Sequence, residues 1–214
     1  MSRSKKEIVF RVLSMLFGTF LYAVGLVLTI RANIGYGPWE VFHAGIANQT
    51  GMGLGTASIV AGVVIVIIVT LAGEKFGLGT IVSMVVTGLL IDLIIWMDVV
   101  PAMTNLAFGI VMLIIGLFII SLGSYFYIRS AFGAGPRDNL MVVLNRKTKL
   151  PVGVCRGLVE LTVTLIGWLL GGMVGIGTII AGFAIGLCIQ ITFSLFKFDA
   201  AGVKHETLRQ TFDR

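Results

Sequence analysis

Long apolar runs separated by short polar stretches dominate the chain. A helix needs about 20 apolar residues to cross the hydrocarbon core of a bilayer, and six segments of that kind are present. They are apolar on every side, so their length rather than their periodicity indicates helices, and they lack the alternation of barrel strands. The sequence therefore predicts an all-α membrane protein with six transmembrane helices. The predicted spans are roughly 9–30, 54–73, 78–97, 104–128, 152–171 and 176–196.

One eleven-residue pattern occurs twice in the polar connections. Its copies, at 30–40 and 128–138, both follow I-R-x-x-[IF]-G-x-G-P-x-[ED], and they lie 98 positions apart. The same offset relates a G-L-G-T-I run at 77–81 to a G-I-G-T-I run at 175–179. An offset that holds without a gap over so much of the chain indicates two copies of one structural unit.

The two copies divide one membrane domain into repeat 1, at 1–101, and repeat 2, at 102–214, which ends in a short charged cytoplasmic tail from about 198. Each repeat contains three spans, an odd number, so the second would enter the membrane from the opposite face, as in the inverted repeats of many secondary transporters. A segment of about a dozen residues follows the first span of each repeat, at 38–49 and 136–146. It is too short to cross, so we predict a short helix that is either amphipathic and interfacial or re-entrant.

The distribution of positive charge predicts the orientation. Of the 16 Lys and Arg residues, 15 lie on one side of the predicted membrane together with both termini, and only Arg31 lies on the other. Cytoplasmic loops carry such an excess, so we expect both termini in the cytoplasm. A composition of 57% hydrophobic and 12% charged residues is that of a chain solvated by lipid. The net charge of +6 therefore belongs to membrane loops, and we expect no nucleic-acid partner.

The G-x-G-P element is the first candidate for a functional site. Proline suits the first position of a helix, glycine allows a sharp turn before it, and a carboxylate in the first turn can stabilise the free N–H groups; this is a purely structural interpretation. Alternatively, each helix start attracts an anion together with a nearby arginine, Arg31 or Arg129. The element comprises Gly35, Gly37, Pro38 and Glu40 in repeat 1 and Gly133, Gly135, Pro136 and Asp138 in repeat 2.

Polar side chains inside the predicted spans supply the other candidates, because carboxylates in a membrane usually face a cavity or a partner. Asp92 and its counterpart Gln190 lie about 13 residues into oppositely directed helices, so they would flank the midplane as a central polar site. Alternatively, Asp92 bonds to a neighbouring helix or is solvated near the outer interface. Glu160 follows Arg156 by one helical turn. Either the two neutralise each other, or Glu160 is a proton or cation site.

The sequence indicates no metal site and no catalytic site. It lacks CxxC and HExxH spacings and a G-K-[ST] phosphate loop. Its two cysteines, Cys155 and Cys188, fall inside apolar segments, where we expect reduced, buried thiols. No nucleophile and base can be placed together convincingly. We therefore expect no metal, no cofactor and no enzymatic activity.

The paired G-x-G-P-[WR]-[ED] and G-x-G-T-I-[VI] elements, together with the length of the chain, resemble the YczE/YyaS/YitT group of bacterial integral membrane proteins over roughly 8–196. The resemblance implies a six-span, multi-pass protein of the bacterial inner membrane, of a kind described as a permease. It carries no functional residues over to this chain.

These observations favour a small secondary transporter or permease for a polar or anionic solute, open to proton coupling through Asp92 or Glu160. Transport would proceed by rocking of one repeat against the other. The alternative is a non-transporting accessory protein that scaffolds a partner. A dry repeat interface with satisfied carboxylates would favour the scaffold, and a polar cavity that reaches one face would favour the permease. The expected partners are the lipid bilayer and an unknown small solute; the oligomeric state, a homo-oligomer included, stays open.

Overall fold

The computed structural model of the chain describes residues 5–74, 76–133, 135–200 and 203, apart from the side chains at 5, 138, 142 and 152. Every regular element in that part of the chain is an α-helix. The predicted tail beyond 203 and the Asp138 side chain lie outside the described residues. The helices are α1 (Lys5–Arg31), α2 (Pro38–Thr50), α3 (Leu54–Leu71), α4 (Leu78–Trp96), α5 (Leu106–Arg129), α6 (Pro136–Thr148), α7 (Val152–Leu169) and α8 (Ile176–Leu195).

Five of the described helices, α1, α3, α4, α5 and α8, are long and apolar enough to cross a membrane. A sixth span results if α6 and α7, which meet at a bend of 117°, are counted together. The outward faces of these helices are apolar, as Phe183 at 80% and Leu195 at 77% exposure illustrate. Water would not tolerate so extensive an apolar surface, whereas lipid does. The chain is therefore an all-helical membrane protein with five or six candidate spans.

The two short predicted segments are the helices α2 and α6. Each begins at a proline that follows an extended glycine, with ψ of 159° at Gly37 and 155° at Gly135. In α2 the first turns are buried, with Trp39 only 6% and His43 only 3% exposed, whereas residues 48–50 at its end are exposed. A helix that lies flat on a bundle would instead bury one side along its whole length. The start of α2 is therefore covered by the other helices, whereas its end lies at the surface of the bundle.

Helices α1 and α5 form the central pair of the bundle. They run antiparallel, because Gly18 faces Gly123 and Gly25 faces Gly116. A Cβ atom on Gly25 would lie 2.8 Å from the carbonyl oxygen of Gly116, so small residues are what lets the two backbones approach this closely. Helix α4 packs on α1, and α8 packs on α5. Apolar side chains from these four helices share one core, and we call them the core group.

The other four helices form a second set, the flanking group. Helix α2 packs against α3 and α7, and α6 packs against the same two helices. Their apolar side chains meet in a separate cluster that includes Trp39 from α2, Val69 from α3 and Val143 from α6. Each group therefore combines helices from both predicted repeats. Within the described residues, the two groups make one extensive helix contact, between α3 and α4.

Two backbone junctions also link the groups, and their residues differ by the offset of 98 positions. Gly79, at the start of α4, donates its N–H to the carbonyl oxygen of Phe132 over 3.0 Å. Gly177, at the start of α8, donates its N–H to the carbonyl oxygen of Ile34 over 2.7 Å. The G-x-G-T-I element of each half of the chain thus binds the loop that precedes the G-P helix of the other half.

Candidate functional site

A cavity of about 410 Å³ lies inside the bundle, and every one of the described helices contributes to its lining. Sites for small molecules commonly measure about 300–1,000 Å³. The lining is mixed, because apolar side chains such as Leu26 and Ile185 alternate with hydroxyl groups that include Ser58, Thr87 and Tyr127. The cavity can therefore enclose a small solute and offer it hydrogen bonds. The charged and imidazole-bearing lining residues are His43, Arg137, Arg156 and Glu160.

The starts of α2 and α6 meet at one side of this cavity through Arg137. Its guanidinium lies 4.7 Å from the ring centre of Trp39, and its Nη2 lies 3.5 Å from Oε1 of Glu40. The Glu40 side chain is only 9% exposed and stands in the first turn of α2, where the helix dipole favours a negative charge. The guanidinium therefore neutralises a buried carboxylate while its stacking on Trp39 supplies a cation–π contact.

A second ion pair, between Arg156 and Glu160 of α7, lines the cavity. The Nε atom of Arg156 donates to Oε1 of Glu160 over 2.8 Å, with the two side chains 47% and 19% exposed. This is the mutual neutralisation that their i,i+4 spacing predicts. Because the pair faces the cavity, a solute carrying an anionic group could replace the carboxylate as a partner of the arginine. Glu160 is thus the one predicted in-span carboxylate that the structure places in the lining.

The side chain of Asp92, a residue of α4, lies outside the cavity and contacts the start of α3. Its carboxylate accepts hydrogen bonds from the N–H groups of Gly55 over 2.6 Å and Thr56 over 2.8 Å, and from the Thr56 hydroxyl over 2.6 Å. These donors are free because the first turn of a helix has no intrahelical acceptors. The structure thus corresponds to the alternative in which Asp92 bonds to a neighbouring helix. Its counterpart Gln190 is exposed, and neither side chain is among the described residues that line the cavity.

Arg31 and Arg129 stand at opposite ends of the antiparallel α1–α5 pair. Arg31 pairs with Asp98 and also donates to the carbonyl oxygen of Ile95 over 3.3 Å. Arg129 is exposed and donates to the hydroxyl of Tyr125 over 3.0 Å. Neither belongs to the described lining of the cavity. The arginine that reaches a helix start is Arg137 instead. Sequence reasoning missed it because it occupies one of the positions where the two copies of the motif differ.

The motif glycines serve the junctions between the groups. Gly35 and Gly133 adopt φ angles of 114° and 144°, which L-residues with a side chain rarely adopt. A Cβ atom on Gly35 would lie 2.6 Å from the nitrogen of Gly175, and one on Gly133 would lie 2.9 Å from Cα of Gly77. The repeated elements thus contact each other, one motif against the other. No group of three His, Cys, Asp or Glu side chains that could hold a metal occurs in the part of the chain that the structure describes.

Comparison with known proteins places the chain in a family. The model of DUF6198, a family of unknown function, matches residues 9–194. The chain belongs to this family. No solved structure matches the chain.

Three relatives share most of their length with this chain. YczE, an uncharacterised membrane protein of Bacillus subtilis strain 168, is 32% identical over 190 residues, which cover 88% of this chain and 87% of YczE. An uncharacterised protein of Haemophilus influenzae is 30% identical over 181 residues, 85% of this chain and 82% of that protein. YyaS of B. subtilis, also uncharacterised, is 25% identical over 178 residues, 81% of this chain and 88% of YyaS.

These similarities confirm the resemblance to the YczE and YyaS proteins. The description of YczE as a membrane protein agrees with the long apolar helices of this chain. The DUF6198 member described here is therefore a multi-pass membrane protein whose apolar outer surface contacts the lipid bilayer.

Proposed function

We propose that this DUF6198 protein is a small, non-enzymatic permease of the bacterial inner membrane and that the central cavity is its solute site. The observation that carries the proposal is a cavity of about 410 Å³ to which all the described helices contribute. Two arginines, a glutamate and several hydroxyl groups line it. Solute sites of secondary transporters commonly lie between repeats near the midplane of the membrane. A polar or anionic small solute suits this lining.

The scaffold alternative accounts for some features equally well. Asp92 and Glu160 both have direct partners, and the α1–α5 contact is packed by glycine without a polar gap. A scaffold, however, has no need of a solute-sized cavity lined by Arg137, Arg156 and Glu160. Close apolar packing would stabilise the bundle more than a cavity lined by charged side chains does. The cavity therefore favours the permease.

The proposed architecture is a pair of repeats with opposite orientation. It is supported by the antiparallel α1–α5 pair and by the two reciprocal junctions, Gly79 with Phe132 and Gly177 with Ile34. Both termini would then be cytoplasmic, in agreement with the 15 Lys and Arg residues expected on that side. Six crossings require α7 to span. Its 18 residues would reach about 27 Å, close to the hydrocarbon thickness of about 30 Å.

The ion pair on α7 would select the solute. An anionic group would bind the guanidinium of Arg156, and the hydroxyl groups of the lining would bind its polar remainder. Glu160 would then lose its partner, and any proton coupling of transport would involve this side chain.

Thermal unfolding of the purified protein with pooled small anionic and zwitterionic metabolites tests the proposal. A ligand present at a hundred times its Kd stabilises the folded state by about 2.7 kcal/mol, which raises the Tm of a chain of this size by roughly 5–10 °C. The double variant Arg156→Gln/Glu160→Gln removes both charges of the pair without leaving either unpaired. We expect the solute-induced shift to disappear in it.

Arg129→Gln is the matched control, because Arg129 is exposed outside the described lining of the cavity. It should keep the full solute-induced shift. Absence of stabilisation by every pool, or an undiminished shift in the double variant, would contradict a solute site at this ion pair.

A further inference from the structure

The contact between α3 and α4 is tightly closed. A Cβ atom on Gly55 would collide with the carbonyl oxygen of Gly88, and one on Gly88 would collide with the side chain of Ile59. The bonds from Gly55 and Thr56 to Asp92 hold the start of α3 against α4 at the same place. We call this contact the α3–α4 seam.

The equivalent contact between α7 and α8, the α7–α8 seam, is open. The residues 98 positions after Gly55, Ile59 and Gly88 are Gly153, Gly157 and Gly186. A Cβ atom on any of these three would meet no described atom within 4 Å outside its own helix turn. Gln190, the counterpart of Asp92, is exposed. Positions that are closed in one half of the chain are therefore open in the other half.

The glycines of the open seam make no close contact with the described residues in this arrangement of the helices. Each glycine inside a helix costs about 1 kcal/mol relative to alanine, and here Gly153, Gly157 and Gly186 face open space. Their counterparts in α3 and α4 show what such glycines permit, because Gly55 and Gly88 bring two backbones into contact. The open glycines are explained if α7 and α8 come together in the same way in another state of the protein.

The cavity lies beside the open seam and ends at the closed one. The lining contributed by α4 reaches Thr87, the residue before Gly88. The lining contributed by α7 consists of Arg156 and Glu160, which flank Gly157. Closure of the α7–α8 seam would therefore cover the side of the cavity that is now open. It would bring Glu160 towards Gly182, since their counterparts Gly62 and Met84 are in contact.

We propose that the α3–α4 and α7–α8 seams close in alternation and expose the cavity to opposite faces of the membrane. In the second state, the Gln190 side-chain oxygen accepts hydrogen bonds from the N–H groups at the start of α7, as Asp92 does at the start of α3. A carboxylate accepts stronger hydrogen bonds than an amide, so the state with the α3–α4 seam closed is the more stable one. This inference rests on the proposed permease function and specifies its moving parts.

Cysteine cross-linking detects the second state directly. Val154 and Gln190 are the counterparts of Thr56 and Asp92, whose side-chain oxygens lie 2.6 Å apart. In a background with alanine at Cys155 and Cys188, the pair Val154→Cys/Gln190→Cys should cross-link only when the α7–α8 seam is closed. Adding Gly88→Leu, which prevents closure of the α3–α4 seam, should raise the cross-linking rate by roughly tenfold or more, because it removes hydrogen bonds to a charged acceptor that favour the first state.

The added substitution Gly186→Leu should abolish this cross-link, because its side chain would occupy the space into which Gly153 must move. The matched control is Leu187→Trp on the same helix. Its counterpart Leu89 stays 58% exposed beside the closed α3–α4 seam, so the larger side chain should leave the cross-link unchanged. An unchanged Tm in Gly186→Leu would show that the loss reflects the seam rather than unfolding.

Asp92→Asn replaces Gly88→Leu if that variant does not fold, because it weakens the closed seam without adding bulk. The proposal of alternating seams would be overturned if Gly186→Leu left the cross-link intact. It would also be overturned if Asp92→Asn showed no cross-linking above background. The readout needs no solute. Seam exchange in a protein that no solute stabilises would support the inference and count against the permease, whereas solute binding without seam exchange would overturn the inference alone.

Discussion

Replacing Asp92 with alanine removes three hydrogen bonds at the start of α3. Each buried donor left without an acceptor costs about 1–3 kcal/mol, and 1 kcal/mol lowers the Tm of a chain of this size by about 2–4 °C. We therefore expect Asp92→Ala to lower the Tm by several degrees in thermal unfolding. Asp98→Asn is the control, because the Asp98 side chain is 74% exposed in its pair with Arg31 and such pairs contribute little. Asparagine also tolerates the positive φ of 49° at this position. Equal losses in both variants would contradict the role assigned to Asp92.

Alanine at Gly35 should be among the most damaging small substitutions. A left-handed backbone, here with φ of 114°, costs a non-glycine residue about 1–2 kcal/mol, and the new Cβ atom would lie 2.6 Å from the nitrogen of Gly175. We expect a clear fall in Tm and in folded yield. Gly182→Ala should instead gain roughly 0.5–1 kcal/mol, because that helical glycine has open space around it. A harmless Gly35→Ala would show that the junction is not needed.

Residue patterns in the sequence indicated which positions have a structural role. They were less successful in predicting which residues those positions contact. The spacing placed Asp92 about 13 residues into its helix, but distance along a helix does not say which neighbour the side chain faces. That depends on the tertiary packing of α3 against α4. Arg137 illustrates the converse. Its role follows from its contacts with Trp39 and Glu40. The comparison of the two motif copies gave no reason to select it, because its counterpart is Trp39.

At the scale of helices, the link between α2 and α6 should respond asymmetrically to loss of charge. The Glu40 side chain is 9% exposed and that of Arg137 is 27% exposed. Arg137→Gln leaves a buried carboxylate unpaired, which costs up to about 3–5 kcal/mol, whereas Glu40→Gln leaves a cation that water can reach. We expect the larger loss of unfolding free energy in Arg137→Gln, with recovery in the double variant by a coupling of about 0.5–3 kcal/mol.

Denaturation of the four proteins in this cycle provides the measurement. Glu74→Gln serves as the control, because its partner Arg146 is 51% exposed and screened by solvent, so its loss should be about 0–1 kcal/mol. Additive effects of Arg137→Gln and Glu40→Gln would mean that the two short helices do not stabilise each other through this pair.

The helices themselves were largely predictable, and the reason is physical. Lipid requires about 20 apolar residues for each crossing, and proline after glycine marks a helix start, so the starts of α2 and α6 follow from Pro38 and Pro136. The difference between the α3–α4 and α7–α8 seams was not predictable. Two similar sequence copies specify similar local geometry, whereas one state of the folded protein closes Gly55 on Gly88 and leaves Gly153 apart from Gly186.

At the scale of the whole molecule, the helices group differently from the repeats. The sequence suggested that one repeat rocks against the other. The contacts instead join α1, α4, α5 and α8 in one core and α2, α3, α6 and α7 around another. Two glycine junctions, at Gly35 and Gly133, connect these groups. If the protein is the permease that we propose, movement of the flanking group against the core group would be its form of alternating access.

The orientation of the molecule depends on whether α7 crosses the membrane. With the predicted cytoplasmic N-terminus, a crossing by α7 would place the loop after α7 outside and return the chain after α8 to the cytoplasm. Without that crossing, both positions would be reversed. Single cysteines at Met173 and Asp199, in the background without Cys155 and Cys188, distinguish these topologies. With an impermeant maleimide on intact cells, we expect labelling of Met173→Cys and protection of Asp199→Cys until the cells are permeabilised.

Two further positions calibrate this labelling, because they lie before α7 and do not depend on its topology. Val99→Cys, in the loop after α4, should be labelled from outside, and Lys147→Cys, near the end of α6, only after permeabilisation. The reverse result at Met173 and Asp199 with these controls unchanged would leave five crossings. Five crossings would place the two termini on opposite faces and break the equivalence of α3 with α7. The alternating seams require that equivalence, so this labelling experiment also decides whether the seams can face opposite sides of the membrane.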